Sequence, residues 1–229
     1  MIVPNRVTLS DSEVDHQILR WPTPSSKRWT LSLLEDARYD ANIIAIVAAG
    51  SAVRPNVPSV DLDLLIICKE PTTFKPKPPI EIDLRTYAET QVEISLENGH
   101  DLLNWAVRFG KVLFERSAYW DNLVSRWQHR LPLPSARIAR ERASKTARHL
   151  SNVIESGDID AAREQALSYM THIARAELLD KGVYPASRPE LPQQLKLIGS
   201  CSLAETLEHL LTSDSLDLTE IRTLVSRAA

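Results

Sequence analysis

Asp61, Asp63 and Asp83 are the residues whose type and spacing most directly suggest chemistry in this chain. Asp61 and Asp63 are two apart in the run VDLDLLIIC, which reads as a β-strand, so both point to one face while Leu62 and Leu64 point to the other. Adjacent carboxylates repel, and a hard divalent cation with oxygen ligands relieves that repulsion. Asp83 alternates with Ile82 and Leu84 on the next predicted strand, within reach of the same face. Three carboxylates meeting there would hold one or two Mg2+ ions, an arrangement suited to phosphoryl-group chemistry. Upstream, Gly50 and Ser51 end a buried strand and are expected to open a turn into a helix, where backbone amides and a hydroxyl can hold phosphate oxygens. Gly50 would let the backbone approach a triphosphate closely, and Arg54, three residues after Ser51, could add a charge-assisted contact.

These residues need a scaffold, and the hydrophobic pattern supplies one. Asn42 to Ala49 is a short β-branched run stopped by Gly50-Ser51, which favours a buried strand over a helix. Leu62 to Cys68 and Ile80 to Tyr87 read as further strands, and Val112 to Glu115 as a short fourth. A loop with Pro55 and Pro58 precedes the second strand. Lys69 to Pro79 carries Pro71, Pro76, Pro78 and Pro79, too many missing amide donors for a central strand, so an extended connection is expected. Spacings of three and four place helices at Arg28 to Tyr39, Glu89 to Glu97, Asp101 to Arg108 and Tyr119 to Arg130.

From Pro134 onward the pattern is almost wholly helical, with long segments at Arg137 to Glu155 and Ala161 to Lys181. Ser187, Ser202 and Asp217 each precede a glutamate by three residues, which marks helix starts, while Gly182 and Gly199 suit helix ends. The expected architecture is therefore an α/β (α+β) core with a small mixed sheet, residues 1–125, followed by an all-α helical bundle, residues 126–229.

The ordered set of Gly50-Ser51, nine intervening residues, Asp61-Leu62-Asp63 and a later Asp83 resembles the signature of the DNA polymerase beta-like nucleotidyltransferase superfamily. That superfamily includes minimal nucleotidyltransferases and aminoglycoside-modifying enzymes. Arg54 also resembles the arginine often found after the glycine-serine pair in the minimal enzymes. The likeness covers roughly residues 40 to 115, and the tail is similar in kind to the helical domain of kanamycin nucleotidyltransferase. It implies transfer of a nucleoside monophosphate from an NTP, ATP being the expected one, to a hydroxyl acceptor with release of pyrophosphate. Asp61 and Asp63 would bridge two Mg2+ ions, with Asp83 completing the second site; Asp83 or Glu93 would take the acceptor proton, and Lys145 would close over the triphosphate. The expected acceptor is a small molecule such as an aminoglycoside, with a protein side chain or a tRNA end in a toxin-antitoxin-like system as the alternative. A noncatalytic nucleotide-binding partner is a further reading, against which the intact acidic set argues.

Charge narrows the partners. The net charge of -3 and a pI near 6.1 give no global basic footprint for long nucleic acids, although tRNA stays open. A local basic stretch, Arg137, Arg140, Lys145 and Arg148, falls on roughly one side of a helix and is most simply a solvated face. No apolar run reaches the ~20 residues needed to span a bilayer, and the first residues lack a signal-peptide pattern, so no membrane contact and a cytoplasmic location are expected. Cys68 and Cys201 match no ligand spacing and read as reduced thiols. Arg142 and His149 resemble the Arg-x4-6-His motif of helical HEPN ribonucleases, but Ala143 stands where that motif has a polar residue. The sequence leaves homodimer formation open.

Overall fold

The computed structural model describes residues 6–55, 60–70, 77–213 and 215–226. The expectations for Pro58, Pro71 and Pro76 lie outside these residues. The chain divides into two units, Met1–Pro132 and Leu133–Ala229. The first runs β1 (Arg6–Thr8), α1 (Asp11–Gln17), α2 (Pro24–Tyr39), β2 (Ile43–Ala49), a 3-10 turn at Ser51–Val53, β3 (Leu62–Cys68), β4 (Ile82–Ala88), α3 (Glu89–Glu97), α4 (Asp101–Phe109), β5 (Lys111–Arg116) and α5 (Tyr119–Trp127).

Among the described residues the strands form one mixed sheet in the order β1-β5-β2-β3-β4. β2 lies in the middle, antiparallel to both β3 and β5, and is buried at every position, which is why its sequence is apolar on both faces rather than alternating. β3 and β4 run parallel, with Leu62 beside Ile82 and Asp63 beside Asp83. Alternation along them sorts side chains between two cores. Leu62, Leu64, Ile66 and Ile82 join Val14, Leu33, Leu34 and Ala37 on the α1–α2 side. Leu65 and Ile67 join Val92, Leu103, Ala106 and Trp120 on the α3–α5 side.

Several ends differ from the sequence expectation for local reasons. α1 is a helix that the spacings did not mark: Ser10 and Glu13 form a reciprocal capping box at its start, with the Ser10 amide donating to Glu13 Oε2 at 2.7 Å. α2 begins at Pro24 rather than Arg28 because Thr23 accepts from the Ser26 amide at 3.1 Å and Pro24 suits a first helical turn. The third predicted strand begins at Ile82, not Ile80, which is almost fully exposed. The first unit runs to Pro132, and Trp127 and Leu131 belong to its α3–α5 core. α5 follows Ser117 and Ala118, both in the left-handed region, and Ala118 offers no side-chain cap. Buried Glu115 supplies one, accepting from the Trp120 and Asp121 amides at 2.9 and 3.3 Å.

Arg116 ties the end of α2 to the start of β2. Its Nε donates to the Ile43 carbonyl at 2.8 Å, and one terminal nitrogen donates to the Ala37 and Asp40 carbonyls at 2.7 and 3.1 Å. Replacement by methionine keeps the aliphatic stem and strands these acceptors, so Arg116→Met is expected to lower unfolding free energy by about 2–4 kcal/mol. Urea denaturation measures this, and a midpoint equal to wild type would refute the role.

The second unit contains α6 (Ala136–Ser156), α7 (Ile159–Asp180), a 3-10 turn at Arg188–Glu190, α8 (Leu191–Leu197), α9 (Cys201–Thr212) and α10 (Leu218–Ser226). Gly157, left-handed, ends α6 and Asp158 caps α7 by accepting from the Ala161 amide at 2.9 Å. Small residues, Ala143, Ala162, Ala166 and Ala174, let helices pack closely in its core. Ser187–Glu190 and Asp217–Glu220 are the expected reciprocal caps. Ser202 is not a cap: α9 starts at Cys201, which puts Ser202 inside the helix. The architecture is thus an α+β core with a small mixed sheet, followed by an all-α unit.

Candidate active site

The acidic residues meet at the end of the sheet where β2 stops and β3 and β4 start. Asp63 lies beside Ala49 on β2 and beside Asp83 on β4. Paired positions on neighbouring strands project to the same face, and this face is the α3–α5 side, since Asp63 alternates with Leu62 and Leu64 of the opposite core. Asp61 stands one residue before β3 rather than on it, and is exposed.

Electrostatics record the crowding. The Asp63 carboxyl is pushed up from 3.8 to about 6, first by burial, then by the charges of Asp61 and Asp83, with Arg85 pulling the other way. Asp83 accepts from Arg85 at 2.8 Å in an exposed ion pair. Arg85 was not singled out from the sequence. Its signal was available: two residues after Asp83 on a strand, it must share that face. As the side chains stand, no three His, Cys, Asp or Glu groups among the described residues are gathered closely enough to hold a metal ion. Asp83, for its part, is turned toward the Arg85 guanidinium. An exposed ion pair contributes only about 0–1 kcal/mol, so a divalent cation can displace it at small cost. The donor set is all oxygen, which suits Mg2+.

Gly50 has φ +76°, and a Cβ there would overlap Asp63 Oδ2 and stand 3.2 Å from Asp63 Cγ. The carboxylate of Asp63 therefore rests against the backbone of the turn, a closeness only glycine allows. The turn itself is shorter than expected: Ser51–Val53 is one 3-10 turn, closed by the Arg54 amide donating to the Ser51 carbonyl at 3.0 Å, not the start of a longer helix. Gly50→Ala is expected to cost about 1–2 kcal/mol from its left-handed backbone alone, plus displacement of Asp63. In a double-mutant cycle with Asp63→Ala the combined loss should be smaller than the sum; strict additivity in urea midpoints would show that the overlap does not matter.

Arg54 lies over the Phe109 ring, 4.7 Å from its centroid. Glu93 pairs with Arg126 at 2.7 Å. Lys145 is on the exposed face of α6 in the second unit, as are Arg142 and His149. Of the basic stretch there, Arg137 is paired with Glu141 and Arg140 with Asp180. Among the described residues no helix is long and apolar enough to cross a membrane.

No family model matches the chain, and no curated protein matches it. Among solved structures it is similar to a nucleotidyltransferase-like protein from Exiguobacterium sibiricum, at 20% identity and a TM-score of 0.45, with 89% of this chain and 72% of that one covered.

Proposed function

We propose that the chain is a metal-dependent nucleotidyltransferase that moves a nucleoside monophosphate from an NTP, ATP being the expected one, to a hydroxyl acceptor. The observation that carries this reading is the placement of Asp63 beside Asp83 on parallel strands, with Asp61 just ahead, against a turn that only glycine can make. Asp61, Asp63 and Asp83 would hold Mg2+, two ions being the expected number, and bound Mg2+ supplies neutralisation of the triphosphate and a lowered pKa for the acceptor hydroxyl. The acceptor oxygen attacks the α-phosphorus, the bond to the β-bridging oxygen breaks, and pyrophosphate leaves with the electron pair. The hydroxyl proton passes to a carboxylate. Asp83 and Glu93 are the two expected bases; each is held in an exposed ion pair, with Arg85 and with Arg126, that it would leave to accept the proton. Gly50 amide geometry and the Ser51 hydroxyl would steady the phosphates, with Arg54 adding charge.

The acceptor expected from the family likeness is small, such as an aminoglycoside; a protein side chain or tRNA end is the alternative. Incubation with Mg2+ and each α-labelled NTP against aminoglycosides, tRNA and cell extract should move label to one acceptor and release pyrophosphate in equal amount. If none of the four nucleotides yields a labelled product in any arm, the transferase reading is wrong.

A further inference from the structure

Strand order decides from which side an acceptor reaches the acidic site. On the proposed reading pyrophosphate leaves toward the Gly50–Ser51 turn, past the end of β2, and in-line displacement puts the attacking oxygen on the opposite side of the α-phosphorus. Asp63 on β3 stands between that turn and Asp83, and β4 is the outermost strand among the described residues. The acceptor therefore enters over β4, from the side of Asp83.

Period-two alternation fixes what it meets there. Arg85 and Tyr87 follow Asp83 on one face of β4, since Leu84 between them packs in the α1–α2 core and Tyr87 against the α3–α5 core. At about 3.3 Å per residue they lie roughly 7 and 13 Å along the strand from Asp83. Arg85 is exposed and Tyr87 half-buried. His100 meets Tyr87 in a T-shaped contact, with ring centroids 5.6 Å apart and planes at 89°. Its own ring is fixed, because Nδ1 accepts from the Leu103 amide at 3.4 Å as the cap of α4, which leaves the proton of the neutral imidazole on Nε2. Burial pushes the Tyr87 phenol up, Arg85 pulls it down, and Asp83 and Asp63 raise it, so the hydroxyl lies within electrostatic reach of the acidic site and stays a neutral donor. Arg85 pairs with Asp83 at 2.8 Å. A carboxylate that takes up Mg2+ gives up that pair, and the guanidinium then offers its charge and its paired donors to the acceptor.

We propose that Arg85, Tyr87 and His100 form the acceptor wall of the site and select a hydroxyl compound that packs a ring on the Tyr87–His100 pair and sets an anionic group against Arg85. This rests on the transfer reading and names its substrate class: a nucleotide end or a sugar phosphate, not a polycation.

Calorimetry on the full chain separates the two readings. The protein is saturated with Mg2+ and α,β-methylene-ATP, whose α–β linkage resists cleavage, and then titrated with the dinucleotide CpA, with glucose 6-phosphate and with kanamycin. At least one of the two anions should bind saturably and more tightly than kanamycin, and the tighter one identifies the source of the phosphate. Tyr87→Leu should weaken that probe about tenfold, the scale of one lost ring contact, and leave the affinity for the methylene nucleotide unchanged. Tyr87→Phe keeps the ring and should stay within about threefold of wild type. Arg85→Gln, a change at an exposed position that needs no repacking, should weaken the anion several-fold. If the methylene nucleotide does not bind wild type, the transfer reading itself fails. If it binds, the acceptor wall is refuted by any of three results: neither anion binds, kanamycin binds more tightly than both, or Tyr87→Leu and Arg85→Gln leave the anion's affinity unchanged. Weakened binding of the methylene nucleotide in Tyr87→Leu would refute it too, by giving the ring to the nucleotide.

Discussion

Asp61→Ala and Asp63→Ala are each expected to lower label transfer from an α-labelled NTP by about a thousandfold or more, the scale seen when electrostatic stabilisation of a transition state is removed. The expectation rests on position. Asp63 is flanked by Asp61 and Asp83, and their mutual repulsion has no structural benefit in a metal-free chain. Removing one carboxylate relieves that repulsion while removing a ligand. Folding should survive, because Asp61 is exposed and neither side chain belongs to a hydrophobic cluster, and circular dichroism can verify it. Arg85→Met is the informative companion. It releases Asp83 from the 2.8 Å pair and removes a positive charge from the site, so half-maximal activity should occur at a several-fold lower Mg2+ concentration, within the roughly 1 kcal/mol that such a pair is worth. Full transfer in both alanine variants would refute the assignment of the metal ligands.

Asp63→Asn should do the opposite to stability. The folded carboxyl titrates near 6 instead of the ordinary 3.8. For an acid whose folded pKa is raised, the favourable contribution is complete below the unfolded value and is lost as pH rises through the folded one. At neutral pH the metal-free protein therefore carries an ionised Asp63 at a cost on the order of 3 kcal/mol, taking about two pKa units at 1.36 kcal/mol each. Asparagine has the same shape and no charge. In EDTA the variant should melt several degrees above wild type at pH 8 and about equal to it at pH 4. Added Mg2+ should raise the melting point of wild type and leave the variant unmoved, by linkage of binding to folding. A variant less stable than wild type at pH 8 would mean that burial does not strain the Asp63 charge.

Together these effects describe a site that gives up stability to hold charge.

Much of this was legible in the sequence because period-two alternation is a local property. Asp63 could be assigned to the face opposite Leu62 and Leu64 from its position alone, and the fully apolar β2 run had to be a central strand. Ser187, Asp217, Gly182 and Gly199 marked helix ends because capping depends on residues a few positions apart. Two local signals misled: at Ser202, since α9 starts one residue earlier, and after Ser51, where the helix closes within one 3-10 turn. The capping box at Ser10 and Glu13 is equally local.

By itself the sequence determined which side chains could share a face, which strands had to be buried, and where most helices begin, since each follows from backbone geometry over a few residues. Only the tertiary structure decided that β3 and β4 run parallel with Asp63 beside Asp83 and that Arg85 is paired with Asp83. The strand pairing joins distant segments. Strand direction and register are set by how two cores fill on either side of the sheet, and no local period encodes them.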